Sequence, residues 1–347
     1  MKTQMIIPIF ISHMGCRNDC IFCNQHHING VSEMPSIQSV EQIIQDYLKN
    51  ARVENVGIAF YGGSFTGLEL EVQKLFLELA LKYKRLGSIK HIRLSTRPDY
   101  INSSIVEMLK SYSVDLVELG VQSFDDTVLD LSYRGHRKDA IYNAVNCLKN
   151  YGVAYGIQLM FGLPGDNRER FFFSVSEAIA LRPETVRIYP TLVLEDTVLA
   201  QQYRDGFYIP PTLEEAIGVV KKAYKAFNQN KIHVIRVGLQ ATDLIDFHKS
   251  VVAGPYHPAF KDLIMDAIFY DAMENIFKTN TYNKDITKAV FTVHPKSVSH
   301  IRGQRKNNQI KLKKNFGFEI TKIIQDQNLL ENQILLTHDH GVTEIFL

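Results

Sequence analysis

Short apolar runs rich in β-branched and aromatic residues alternate with longer amphipathic segments along the first two thirds of the chain, and this alternation restricts its fold more than any other feature. The runs are Met5 to Ile11, Val56 to Tyr61, Ile89 to Leu94, Leu116 to Leu119, Tyr155 to Phe161 and Val186 to Ile188. Helical periodicity falls between them, near 38–50, 69–85, 102–111, 126–150 and 168–181, and again at 212–229. Strands joined through helices run parallel, so the pattern predicts a parallel sheet with crossover helices. Six such units suit a partial (β/α) barrel. With 347 residues, 45% of them hydrophobic, the chain can bury one core of barrel size and a smaller second one.

Loops at the C-terminal ends of barrel strands are where active sites collect. Three of the four cysteines, Cys16, Cys20 and Cys23, stand in the first such loop, within Gly15-Cys16-Arg17-Asn18-Asp19-Cys20-Ile21-Phe22-Cys23-Asn24. Thiolates are the ligands of iron–sulfur clusters, and a cubane of four irons normally takes four of them. Three on one short loop leave one iron open to a small-molecule chelator. Zinc is the competing reading, with His13, His26 or His27 as a fourth ligand, although no second Cys-x-x-Cys pair accompanies the first. A disulfide fits poorly, because the loop count is odd and no secretory signal precedes it. Cys147, in the helical stretch Asp139 to Asn150, reads as packing.

The net charge of +2 singles out no class of partner. No apolar run approaches the roughly 18 residues of a membrane span, so a soluble, cytoplasmic protein is expected. A reducing compartment also suits an oxygen-labile open cluster. Further rim signals follow the later strands: Gly62-Gly63-Ser64, Ser95-Thr96-Arg97-Pro98-Asp99, Gly120-Val121-Gln122-Ser123 and Gly162-Leu163-Pro164-Gly165. Each is compatible with ordinary turn chemistry, but all fall on the same rim.

The cysteine spacing with Phe22 before the last cysteine, together with Tyr61-Gly62-Gly63, resembles the radical S-adenosylmethionine (SAM) superfamily. The set Leu94 to Asp99, Glu118 to Ser123, Arg134-Gly135-His136, Ile188-Tyr189-Pro190-Thr191 and Val251 to Phe260 resembles the radical SAM half of the Elongator catalytic subunit and its bacterial relatives. The resemblance covers about residues 5 to 260. It implies a partial (β/α)6 TIM-like barrel in which Cys16, Cys20 and Cys23 hold a [4Fe-4S] cluster. SAM chelates the open iron, and reductive cleavage yields methionine and a 5′-deoxyadenosyl radical. By the same resemblance, Tyr61, Gly62 and Gly63 present backbone groups to the SAM amino group. The family often has Glu after the two glycines, where Ser64 stands here. Gln122, Arg134 and Gln158 match positions that contact SAM, Arg134 suiting the carboxylate and the glutamines the ribose. Ser95, Thr96 and Arg97 lie by ribose or substrate, and Asp99 reads as a helix cap. Tyr155 and Tyr189, at strand ends, read as core.

Domain boundaries are expected at 1–240 for the barrel, 241–286 for a helical extension and 287–347 for a basic α/β domain. Between Lys296 and Lys314 there are seven positive charges and no acidic residue, a surface suited to phosphate. Val293 to Ile310 reads as a strand, a helix, a Gly-containing turn and a second helix, resembling a KH-type RNA-binding unit. Gly303 takes the first glycine position of its GXXG loop and Lys306 replaces the second. Arg302, Gly303, Arg305, Lys306, Lys311 and Lys313 are therefore the candidate RNA contacts. The expected function is radical SAM modification of tRNA or another RNA, served by an electron donor such as flavodoxin or ferredoxin. No acetyltransferase activity is expected of this chain, which points to a separate acyltransferase. A radical SAM enzyme for a small molecule and a non-catalytic RNA-binding metalloprotein are the alternatives.

Overall fold

The computed structural model describes residues 4–11, 15–16, 20–24, 34–239, 246, 249–279, 288–338 and 341–347. His13, His26 and His27 lie outside this set. Its contacts divide the chain into two units, residues 1–216 with 223–258, and 217–222 with 259–347.

The first unit is built on a parallel sheet of β1 (Met5–Ile11), β2 (Val56–Gly62), β3 (His91–Thr96), β4 (Leu116–Gln122), β5 (Ala154–Phe161), β6 (Thr185–Pro190) and β8 (His233–Val237), adjacent in that order. The helices between them are α1 (Ile37–Lys49), α2 (Leu70–Arg85), α3 (Ser103–Ser111), α4 (Asp126–Leu131), α5 (Lys138–Tyr151), α6 (Arg168–Leu181) and α8 (Leu213–Gln229). The short β7 (Val193–Leu194) pairs antiparallel with β9 (Val251–Ala253), and α7 is Val198–Arg204. This is the topology of a partial (β/α) barrel with one strand more than the six expected. β8 escapes sequence reading because His233 and Arg236 interrupt its apolar residues. The helical pattern at 126–150 is two helices, separated by the turn that carries Arg134 and His136. Side-chain caps on Ser36, Asn102, Asp125, Asn167, Thr197 and Thr212 satisfy first-turn amides. Asp99, expected to cap, instead grips Arg97 through both carboxylate oxygens, and Asn102 caps α3.

The two faces of the sheet differ in chemistry. Helix-facing positions are apolar and buried, among them Ile9, Phe60, Leu94, Leu119, Leu159 and Ile188. A parallel sheet covered on both faces reads apolar throughout. Here alternate positions are polar: Tyr61 on β2, Ser95 on β3, Glu118 on β4, Gln158 on β5 and Arg187 on β6. The register makes Ser95 the partner of Glu118 and Gln158 the partner of Arg187, so these side chains share one face. That face is built for a polar ligand.

The second unit holds α9 (Phe260–Thr279), β10 (Lys288–Val293), α10 (Val298–Arg302), α11 (Asn307–Phe316), β11 (Glu319–Gln325), β12 (Gln333–His338) and β13 (Gly341–Phe346). Its sheet runs β11-β10-β12-β13, parallel between β10 and β11 and antiparallel elsewhere. Phe269 and Met273 of α9 pack with Phe291, Ile301, Leu312 and Leu336 in its core. Of the strand, helix, turn and second helix expected between Val293 and Ile310, the two helices and the turn are present, while the strand, β10, ends at Val293. Lys306 has a φ of 63°, the left-handed backbone that glycine adopts most easily.

Candidate active site on the C-terminal rim of the sheet

Two glycines press the cysteine loop against the loop after β2. Gly15 has a φ of 75°, and a Cβ on it would lie 2.1 Å from the Ser64 carbonyl oxygen; one on Gly67 would lie 2.1 Å from the Gly15 carbonyl oxygen. Neither position tolerates a side chain. The contact sets Cys16 Sγ 3.5 Å from Ser64 Oγ. Gly62, with a φ of 102°, abuts the Ile11 backbone, and the Gly63 amide donates to the Ile11 carbonyl at 2.6 Å. Neither Gly15 nor Gly67 stands out in the sequence as a site residue, since their value appears only when the two loops meet.

The second half of the loop is held from the other side. Ile21 donates its amide to the Ser132 carbonyl and accepts from the Leu199 amide, at 3.3 and 2.8 Å. Arg134 Nη1 donates to Cys20 Sγ at 3.0 Å, and Arg97 Nη1 lies 3.9 Å from the same sulfur. Arg134 also donates to the Gly120 carbonyl and receives an Arg97 donor on its own carbonyl. Two guanidiniums thus converge on one cysteine sulfur. None of the four cysteines is in a disulfide; Cys147 is half-buried, 3.9 Å from Ser103 Oγ. Among the described residues no three Cys, His, Asp or Glu side chains converge on one point. The donor set nevertheless fits a cubane with an open iron: three thiols on one loop, with cationic donors aimed at one of them.

Fit to SAM rests on buried polar atoms that lack partners. Ser95 Oγ and Gln122 Oε1 are buried without a hydrogen bond to any described residue. Leaving such atoms unsatisfied costs about 1–3 kcal/mol each, and a bound polar ligand removes that cost. Gln122 also holds a φ of 70°, strain of the kind that persists at ligand sites. Gly120 keeps the space beside it open, with Gln122 Nε2 and Arg134 Nη2 at 3.4 and 3.6 Å from where a Cβ would sit. Gln158 is half-buried on the same face. Tyr61 lies deeper: its hydroxyl accepts from Arg187 Nη2 at 3.0 Å, and burial, aided by the Glu118 carboxylate, raises its pKa.

Behind the arginine pair, His136 is 8% exposed, and its Nε2 has no hydrogen bond to a described residue. Burial, and then the charge of Arg134, hold its pKa down at about 4, from 6.5. Between those values the unfolded chain binds a proton that the folded chain refuses. Stability present above the unfolded pKa is therefore lost as pH falls through the window, by about 1 kcal/mol at pH 5.5. Urea denaturation of wild type and His136→Gln is expected to show their stability difference shrinking by about that amount between pH 7.5 and 5.5. A difference that ignores pH contradicts the assignment.

Comparison with known proteins agrees with this geometry. The model of the radical SAM superfamily matches residues 10–176, and that of the Radical_SAM C-terminal domain matches residues 183–268. A tRNA uridine(34) acetyltransferase of Methanocaldococcus jannaschii is 28% identical over 234 residues, 61% of this chain and 43% of that protein. A protein of the same description from Dehalococcoides mccartyi is 27% identical over 241 residues, 59% of this chain and 52% of its own. The chain thus spans about half the length of these relatives. The archaeal Methanocaldococcus infernus Elp3, with an N-terminal deletion, superposes with a TM-score of 0.61 at 20% identity, covering 97% of this chain and 74% of that one. This last likeness speaks to fold alone. The matched families take in both the cysteine loop and the strands that frame it, and the chain belongs to the radical SAM superfamily, enzymes that use a [4Fe-4S] cluster and SAM.

Proposed function

We propose that the chain is a radical SAM enzyme that modifies tRNA or another RNA. The observation that carries the chemistry is the cysteine loop locked onto the rim by Gly15 and Gly67, with Arg97 and Arg134 at Cys20. Cys16, Cys20 and Cys23 hold the cluster, which when bound and reduced supplies the electron that cleaves SAM. Tyr61, Gly62 and Gly63 receive the SAM amino group through their backbone, and Ser95, Gln122 and Gln158 bond the ribose. Arg134, already at Cys20 Sγ and the Gly120 carbonyl, takes the SAM carboxylate while keeping the loop in place. A ferredoxin or flavodoxin is the electron donor. Among the described residues no helix is long and apolar enough to cross a membrane. A reducing cytoplasm suits such a cluster.

RNA as the substrate is supported by the uridine(34) activity named for the relatives and by the second unit's charge. Arg302, Arg305, Lys306 and Lys314 are exposed and form no ion pair with a described residue; Lys311 lies over the Tyr270 ring, and Lys313 is 4.0 Å from Glu319. Gly303 sets the turn that presents them: its φ is 70°, and a Cβ on it would lie 2.8 Å from the Asn308 amide nitrogen. Replacing Lys306, Lys311 and Lys313 with Ala together is expected to weaken tRNA binding. The slope of log K against log salt should become shallower by about 2–3, at roughly 0.7–0.9 per lost phosphate contact. Filter binding across a salt series measures it, and an unchanged slope removes this helix from the RNA interface.

A further inference from the structure

We propose that Arg236, with the carboxamide N–H of Gln158, whose oxygen is left to the SAM ribose, forms a site on the concave face of the sheet for an oxyanion, a phosphate or carboxylate, of the substrate. On the same face Arg187 is already engaged with protein groups. Its Nε and Nη2 reach Glu118, with Nη2 to Oε1 at 2.8 Å; Nη2 also donates to Tyr61 and Nη1 to Tyr189, at 3.0 and 3.3 Å. Gly156 on the intervening strand leaves room for Thr185 and Glu118, since a Cβ there would lie 2.5 Å from Thr185 Oγ1 and 3.6 Å from Glu118 Cγ. The guanidinium of Arg187 is therefore held in place by one carboxylate and two tyrosine hydroxyls.

Its register partner on β8 is Arg236, where a shift in the pairing after Val186–Val234 passes over Ile235, and its partner on β5 is Gln158. Residues paired in a parallel ladder face the same side, on strands about 4.8 Å apart. Arg236 is half-buried and has no hydrogen bond or ion pair with any described residue; nor does Gln158. On the same face Arg93 stands two residues before Ser95 and donates to Gln4 Oε1 at 3.3 Å. Among the described strand residues this face carries three guanidiniums and one carboxylate, Glu118, which Arg187 already occupies. Two like charges side by side, one uncompensated and partly withdrawn from water, are costly. An oxyanion removes that cost, received by a guanidinium fork and a carboxamide N–H from adjacent strands. Such a site anchors a substrate by its charged end, beneath the rim where the chemistry takes place.

This inference rests on the concave face being the reaction chamber, and its test does not require SAM. The full chain, reconstituted anaerobically, is titrated calorimetrically with uridine 5′-monophosphate, succinate and uridine. At least one anion is expected to bind wild type, with affinity falling tenfold or more in Arg236→Gln, partly restored in Arg236→Lys, and uridine binding indifferent to either. Preference for the nucleotide identifies phosphate as the source of the anion, and preference for succinate identifies carboxylate. On the wild-type protein, phenylglyoxal is expected to label Arg236 and spare Arg187, and the bound anion to protect Arg236. No binding by either anion, binding indifferent to Arg236, or labelling unaffected by anion overturns the site. Cysteine-dependent 5′-deoxyadenosine formation, measured on the same preparation, reports separately on the radical SAM reading.

Discussion

Alanine at Cys16, Cys20 or Cys23 is expected to abolish both the iron–sulfur absorbance of the reconstituted protein and its formation of 5′-deoxyadenosine from SAM and dithionite. Alanine at Cys147 is expected to leave both intact. The chain has four cysteines. Cys147 stands on α5 next to Ser103, while the other three share a loop clamped by Ser64, Ser132 and Leu199. Removing one of those three leaves two thiolates, too few to hold a cubane. The fold should survive, because all three are only half-buried and none is in a disulfide. Circular dichroism therefore provides the control that separates a lost cluster from a lost fold. A Cys20→Ala protein that keeps full iron, or a wild type that holds zinc and never cleaves SAM, would falsify the assignment.

The scaffold was largely legible because parallel strands and their helices write two different periods into the chain, and the Met5–Ile11 strand followed by the cysteines is readable by eye. Polar residues alternating along β3 and β6 also carried information, since helices do not cover such a face. What could not be read is what depends on two distant segments meeting. Gly15 gains its importance only against Ser64 and Gly67, and Gly156 only against Thr185 and Glu118. Arg134 reads as a carboxylate partner, but its bond to Cys20 depends on how the turn after α4 folds back. Asp99 sits where a cap is common, yet Arg97 is the stronger attraction. β8 was invisible because its charged residue faces the concave side and breaks the apolar run that marks a strand.

Arg187→Met is expected to be the most damaging substitution in the first unit, costing about 3–5 kcal/mol. Glu118 is 2% exposed at its side chain and Arg187 12%, so the substitution leaves a carboxylate in a dry interior without its counter-ion. Tyr61 and Tyr189 lose a donor at the same time. Methionine fills much of the arginine's volume, which keeps the loss mainly electrostatic. Pairing it with Glu118→Gln removes the stranded charge, and the double variant should recover more than half of the deficit. The Glu118→Gln single variant leaves Arg187 charged and should be destabilised as well. Urea denaturation of the four proteins gives the coupling between the two sites. Strict additivity, or a loss below about 1 kcal/mol for Arg187→Met, would mean that water reaches this pair freely. Because Tyr61 leads directly into Gly62 and Gly63, SAM binding by the folded fraction of Arg187→Met should weaken too, while in the double variant it follows how far the Tyr61 position is regained.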